Sequence, residues 1–194
     1  MQFADDTYYI DKVLKGDTNA FSYLVEKHKR MAYTLALRMV NSPEDAEEIA
    51  QDAFVKAFQS LKDFRHESKF STWLYKIIYH ISISKLRKKQ YPILSMDDEH
   101  NRSFDVRETD DFLKQLSMEE QNVLIRTAIN RLPVDERAMI TLFYLSEHSI
   151  KEIMVITGES ESSVKVKLFR ARKRLWELLK HRFKDQIIEQ YDEN

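Results

Sequence analysis

The sequence predicts an all-α chain: two small helical domains joined by a flexible acidic linker. Three observations carry that expectation. Only two Gly and three Pro occur in 194 residues, so few positions break a helix. Helix-start signals recur along the chain, at Ser42-Pro43-Glu44-Asp45, Ser117-x-x-Glu120 and Ser149-x-x-Glu152. Between them, apolar residues recur at spacings of three and four rather than alternating.

Taken in order, Gly16-Asp17 separates a first helix (about 6–15) from a longer one (about 18–40). Ser42 caps the next, Pro43 opens it and acids fill its first turn, with the end near Leu61. A polar loop, DFRHESKF over 63–70, precedes a helix capped by Ser71 or Thr72 that runs to about Lys89. Residues 91–116 lack periodicity and are rich in acid, the pattern of a tether. Helices resume at Ser117 and after Pro133 (about 134–146), then from Ser149 to Thr157-Gly158. A last helix starts near Ser160 or Glu161 and continues past Lys180. The domains are therefore 1–90 and 117–185, with a linker over 91–116 and a tail over 186–194.

The net charge of −1 conceals a partition. Residues 1–95 carry +3, residues 96–125 carry −6 and residues 126–194 carry +2, while 163–184 alone carry +8. Local charge of this size reports on partners rather than on fold. No Cys is present, which excludes disulfides and thiolate metal sites. No apolar run reaches the roughly 18 residues of a membrane span, and the acidic N-terminus lacks a signal-peptide layout, so a cytosolic protein without membrane insertion is expected. The six His do not cluster, and no P-loop, nucleophile motif or paired carboxylates occur. Neither cofactor nor metal nor catalytic residue is expected, which weighs against a helical enzyme.

A short helix, a turn at Gly158 and a long basic helix form a helix-turn-helix pattern. Projected at 100° per residue, Val164, Leu168, Ala171, Leu175 and Leu178 make one apolar stripe. Opposite lie Ser162, Val166, Phe169, Arg170 and Lys173. Lys165 and Arg172 flank one edge of this crest, and Lys167 and Arg174 the other. Two basic edges suit the phosphate walls of a major groove, and the crest suits base edges and thymine methyls. A solvated basic helix with two stray apolar residues is the plainer alternative.

In the N-terminal module, Ala46, Ile49, Ala50, Ala53, Phe54, Ala57, Phe58 and Leu61 form the expected core stripe of the 43–61 helix. Glu48, Gln51, Asp52 and Val55 make another face. Spacing alone fits an ordinary wet surface there, and a docking face for a basic partner is the sharper reading. Over 64–90, Trp73, Leu74, Ile77, Ile78 and Ile81 form the apolar stripe, while Tyr75, Tyr79, Ser82 and Leu86 share a second face. Aromatic rings beside Lys76, His80, Lys85 and Arg87 suit single-stranded nucleic acid, in which bases stack and lysines follow the backbone. For Phe64, Tyr75 and Tyr79, core packing is an equal alternative.

The run DAEEIAQDAFVKAFQSLKDFRHESKFSTWLYKI (45–77) resembles region 2 of bacterial sigma factors. LPVDERAMITLFYLSEHSIKEIMVITGESESSVKVKLFRARKRLWELL (132–179) resembles region 4. Length and order resemble the extracytoplasmic-function group of the sigma-70 family. The resemblance implies a factor that binds core RNA polymerase and directs promoter recognition and transcription initiation. It implies core docking by Glu48, Gln51, Asp52, Val55 and Phe58 on the clamp helices of the largest subunit, and a second contact with the flap of the second largest. Recognition and melting of the minus-10 region fall to Phe64, Arg65, His66, Ser68, Lys69, Lys76, Tyr79 and His80. There a base is flipped out and held, which stacking and pocket contacts offset. Minus-35 reading falls to Ser162, Ser163, Lys165, Val166, Lys167, Phe169, Arg170 and Lys173. An anti-sigma factor joins polymerase and promoter DNA as a candidate partner. His80 stands where Asn is common in the family, and Val166 where Ser is common. Both bear on the promoter sequence preferred. The competing function is a stand-alone helix-turn-helix regulator with an N-terminal sensor domain.

Overall fold

The computed structural model describes residues 5–89 and 117–192, with side chains described through Lys88 and from Ser117 to Lys180; the expected linker lies outside them. The N-terminal domain contains α1 (Asp6–Leu14), a 3-10 turn at Thr18–Ala20, α2 (Phe21–Val40), α3 (Pro43–Gln59), a second 3-10 turn at Leu61–Asp63, and α4 (Phe70–Lys89). The C-terminal domain contains α5 (Met118–Arg131), α6 (Val134–Ile140) leading into a π turn (Thr141–Leu145), α7 (Ile150–Thr157) and α8 (Glu161–Asp192).

Local chemistry accounts for most boundaries. Ser42 Oγ accepts from the Asp45 amide at 3.2 Å, with Pro43 at the first helical position. Both capping boxes form: the Glu120 amide donates to Ser117 Oγ and the Ser117 amide to Glu120, and Ser149 and Glu152 repeat the exchange. Gly158, at φ 76°, ends α7 in the left-handed region, where a Cβ would strain the turn. Two boundaries differ from expectation. α4 begins at Phe70, before Ser71 and Thr72, and Thr72 is buried rather than capping at the surface. α8 runs beyond the expected domain limit at 185, to Asp192.

One hydrophobic core runs through both domains. Leu24, Leu35, Met39, Ile49, Leu74 and Ile78 belong to the same cluster as Ala138, Met139, Leu142, Ile153, Ile156, Val164 and Leu168. α4 is the shared element, packed against α2 and α3 on one side and against α6 and α7 on the other. Its second face, carrying Tyr75, Tyr79 and Ser82, is therefore covered by the C-terminal domain. Two arginines clasp the joint reciprocally. Arg38 of α2 donates to the Leu145 carbonyl. Arg137 of α6, itself buried, donates to the Met39 carbonyl at 3.3 Å and to the Asn130 and Leu132 carbonyls at 2.8 and 3.3 Å. These are carbonyls near helix ends, which lack partners within the helix. A smaller cluster of Ile129, Leu132, Ile140 and Ala171 closes the C-terminal domain.

Candidate polymerase and nucleic-acid interfaces

α3 points Ala46, Ile49, Ala50, Ala53, Phe54 and Ala57 into the core and leaves Glu48, Gln51, Asp52 and Val55 exposed. Val55 is 56% accessible amid charged neighbours. Glu48 is not free: Lys85 of α4 bonds it at 2.6 Å and Asp45 at 3.1 Å. Those hydrogen bonds, first the one that Lys85 donates to Glu48, raise the Lys85 pKa. Phe58, expected in the core stripe, is instead 41% exposed and rests edge-on against Phe21. It adjoins Val55 at helical spacing and extends the apolar part of that face.

The 63–70 loop joins α3 to α4 over an aromatic nest. Phe64 is buried among Phe70 (6.1 Å between ring centroids), Trp73 (5.2 Å) and His66 (4.7 Å). His66 adopts a left-handed φ of 56° and is exposed, as are Arg65 and Lys69, while Ser68 is half-buried. Along α4, Lys76 and His80 face solvent. Partial burial, and then the positive charge of Lys76 and of Lys56 from α3, lower the His80 pKa. Lys56 and Lys76 thus set positive charge beside a His80 ring that is held toward its neutral form.

Tyr79 is 5% accessible. Burial, followed by the charges of Asp135 and Glu159 of the C-terminal domain, pushes its pKa up to about 12. Tyr75 is half-buried with its ring edge-on to His148 at 4.3 Å. Arg87, at the far end of α4, reaches Asp135 at 3.4 Å. Thus Phe64 and Tyr79 are packed inside, while Arg65, His66, Lys69, Lys76 and His80 are exposed.

On α8, Val164, Leu168 and Ala171 are fully buried, with Leu175 and Leu178 packed partly against them. The opposite crest is bare: Val166 is 48% and Phe169 64% accessible, with Ser162 and Arg170 exposed. The two basic edges are not equivalent. Lys167 binds Glu159 at 2.6 Å and lies 3.7 Å from Asp135, and Arg174 binds Glu136 at 3.1 Å. Burial opposes the charge on Glu159, but the Lys167 and Ser163 hydrogen bonds outweigh it and lower its pKa. On the other edge, Lys165 pairs with exposed Glu161 one turn back. Among the described residues, Arg170 and Lys173 have no acidic partner. The expected pair of phosphate-facing edges thus reduces to one open edge and the crest.

Sequence spacing had no means of finding Asp135, Glu136 and Glu159, because these acids come from α6 and from the turn before α8. No helix among the described residues is long and apolar enough to cross a membrane, and no His/Asp/Glu group among them is arranged to hold a metal.

Family models agree with this division. Sigma-70 region 2 matches residues 24–91, and Sigma-70, region 4 matches residues 122–175. The chain is 34% identical over 174 residues to the ECF RNA polymerase sigma factor SigW of Bacillus subtilis, covering 86% of this chain and 92% of that one. It is 32% identical over 176 residues to the ECF RNA polymerase sigma-E factor of Escherichia coli K12, covering 86% and 90%. Among solved structures, CnrH in complex with the cytosolic domain of CnrY shares the fold at TM-score 0.61 and 23% identity, over 91% of this chain and 97% of that one. RpoE of Bartonella quintana, solved with the anti-sigma factor NepR, does so at 0.59 and 23%, over 82% and 96%. A region 2 module followed by a region 4 module, matched to such relatives over nearly their whole length, places this chain in the extracytoplasmic-function group of the sigma-70 family.

Proposed function

We propose that three surfaces divide the work of this sigma factor, which binds core RNA polymerase and directs it to promoters. The exposed face of α3, with Gln51, Asp52, Val55 and Phe58, docks on the polymerase; Glu48 takes part once Lys85 releases it. The loop with Arg65, His66, Ser68 and Lys69, together with Lys76 and His80, takes the opened minus-10 strand. The α8 crest reads the minus-35 duplex: Val166 and Phe169 meet thymine methyls, Arg170 a base edge, and Ser162, Ser163, Lys165 and Lys173 the backbone. The chain supplies no catalytic group, since the polymerase performs the chemistry, and it works where the polymerase is, in the cytoplasm. An anti-sigma factor is a further partner, because both solved neighbours above are complexes with a partner protein.

The single observation that carries this reading is the bare crest. Phe169, 64% accessible, lies beside exposed Val166 and beside Arg170 and Lys173, which have no acidic partner among the described residues, and this apolar-and-basic crest fits a nucleic-acid groove. Because the C-terminal domain covers Tyr79 in the closed arrangement, the two domains must part before α4 can present that ring to DNA. The test is transcription with purified core polymerase on a promoter library. Asp52→Arg with Val55→Arg should weaken core binding at least about tenfold, as a charge placed in an apolar contact does. Unchanged core binding would sink the docking face, and no transcript from any promoter would sink the function.

A further inference from the structure

α1 lies before residue 24, outside the region 2 match, yet it is wired to the loop assigned above to the minus-10 strand. Asp6, the first residue of α1, places both carboxylate oxygens on Nε2 of His28 in α2, at 3.2 and 3.1 Å. A carboxylate only accepts, so His28 Nε2 is the donor. His28 is 8% accessible, and its ring lies 5.4 Å from that of Phe70, tilted by 52°. Phe70 opens α4 and packs on Phe64 and Trp73; Phe64 carries His66 at the tip of the loop. The route Asp6–His28–Phe70–Phe64–His66 is thus continuous contact from the head of α1 to an exposed loop residue in a left-handed conformation. Lys27 also binds Asp6, at 2.8 Å, but from a more open position.

We propose that Asp6 and His28 are positioning residues for promoter opening: the carboxylate fixes the imidazole, the imidazole backs Phe70, and the ring nest holds the 64–66 segment in the geometry that takes an unpaired base. Neither residue touches DNA in this role. The conformation of the loop is the quantity they set, so their effect belongs to strand opening and not to core binding. The packing cost of a loosened Phe70 falls on Phe64, the residue that leads into the exposed loop.

The inference rests on the loop assignment made above, and the experiment separates the two. Full-length chain is assembled with core polymerase, and opening is followed with a fluorescent adenine analogue in the minus-10 strand. Two templates are used, a duplex promoter selected with the wild-type chain and the same sequence with that region already unpaired. Asp6→Ala should slow opening of the duplex about tenfold, the scale of one charge-assisted hydrogen bond. On the unpaired template, where the loop must still take the base, capture should weaken by a similar factor, and core affinity should not move. Asp6→Asn, which keeps an acceptor for His28, should fall between, and it keeps the test available should the alanine variant fail to fold. Lys27→Ala should open like the wild type.

Wild-type opening by Asp6→Ala overturns the relay. So does a Lys27→Ala defect equal to that of Asp6→Ala, which would mean that simple anchoring of α1 accounts for both. Loss of core binding in parallel with opening overturns it too. A chain with Arg65→Ala and His66→Ala that still opens the duplex at the wild-type rate overturns the loop assignment itself, whatever Asp6 does.

Discussion

α4 and α8 are both helices on which aromatic and basic residues alternate, and the structure treats them oppositely. On α8 one stripe is packed and the crest stands bare, with Phe169 64% accessible. On α4 the stripe of Leu74 and Ile78 is packed, and so is the face carrying Tyr79. The difference lies in the neighbours. α8 closes the edge of its domain and has protein on one side, whereas α4 stands between two domains. An aromatic-and-basic pattern therefore specifies a surface that can be read, and the packing of a second domain decides whether it is open.

The largest expected effect comes from cutting the joint. Arg137→Ala removes three hydrogen bonds, to carbonyls of α2, of the end of α5 and of the turn after it, two of them between buried groups. A loss of about 3 kcal/mol is expected by chemical denaturation. Tyr79 should then titrate near its ordinary value of about 10, rather than at about 12, by ultraviolet absorbance. In the intact chain the sign follows from linkage. A phenol whose pKa is raised by burial stabilises the closed packing fully below the unfolded pKa and loses that contribution as pH rises through the folded one. A Tyr79 that already ionises near 10 in the wild type would break the contrast between the two helices.

Phe169→Ala tests the open side. It should lower discrimination at one upstream base pair about tenfold, with stability changed by no more than about 0.5 kcal/mol, as for other exposed positions. Equal binding to upstream sequences before and after truncation would reduce the crest to ordinary surface.

A third experiment asks whether the joint responds to acid. His148 is half-buried against Tyr75, its Nε2 meets no hydrogen-bond partner among the described residues, and its Nδ1 lies 3.9 Å from Glu152. Burial, opposed by the Glu152 charge, lowers its pKa. The neutral ring therefore stabilises the closed packing above the ordinary pKa of about 6.5, and this is lost as pH falls through the lower folded value. The absence of native Cys permits dye labels at two introduced Cys, one in each domain. Their separation should grow on acidification below the ordinary histidine pKa of about 6.5, and less so with His148→Phe.

The smallest effect contrasts two lysines of α8. Lys173→Ala should reduce the slope of log affinity against log salt by about one. Lys167→Ala should leave the slope nearly unchanged, because Glu159 and Asp135 already neutralise that cation. Its removal should cost about 0.5 kcal/mol of stability, as for a partly exposed ion pair.

Much of this molecule was legible residue by residue. Ser42-Pro43, the capping boxes at Ser117 and Ser149, and Gly158 each act within one turn of chain, so the sequence alone determined the helices and their order. The buried stripe of α8 was equally readable, because helical period and apolar composition coincide there. The loop residues Arg65, His66 and Lys69 also stand where their polarity placed them. What only the tertiary structure decided is the fate of faces that meet residues far away in the chain. Tyr79 is covered by a domain from the other half of the sequence, Lys167 is neutralised by Glu159 and Asp135, and Asp6 reaches the 63–70 loop through His28. The physical reason is range. Capping and periodicity act over three or four residues of one helix, whereas burial and charge neutralisation depend on which surfaces the packed core brings together.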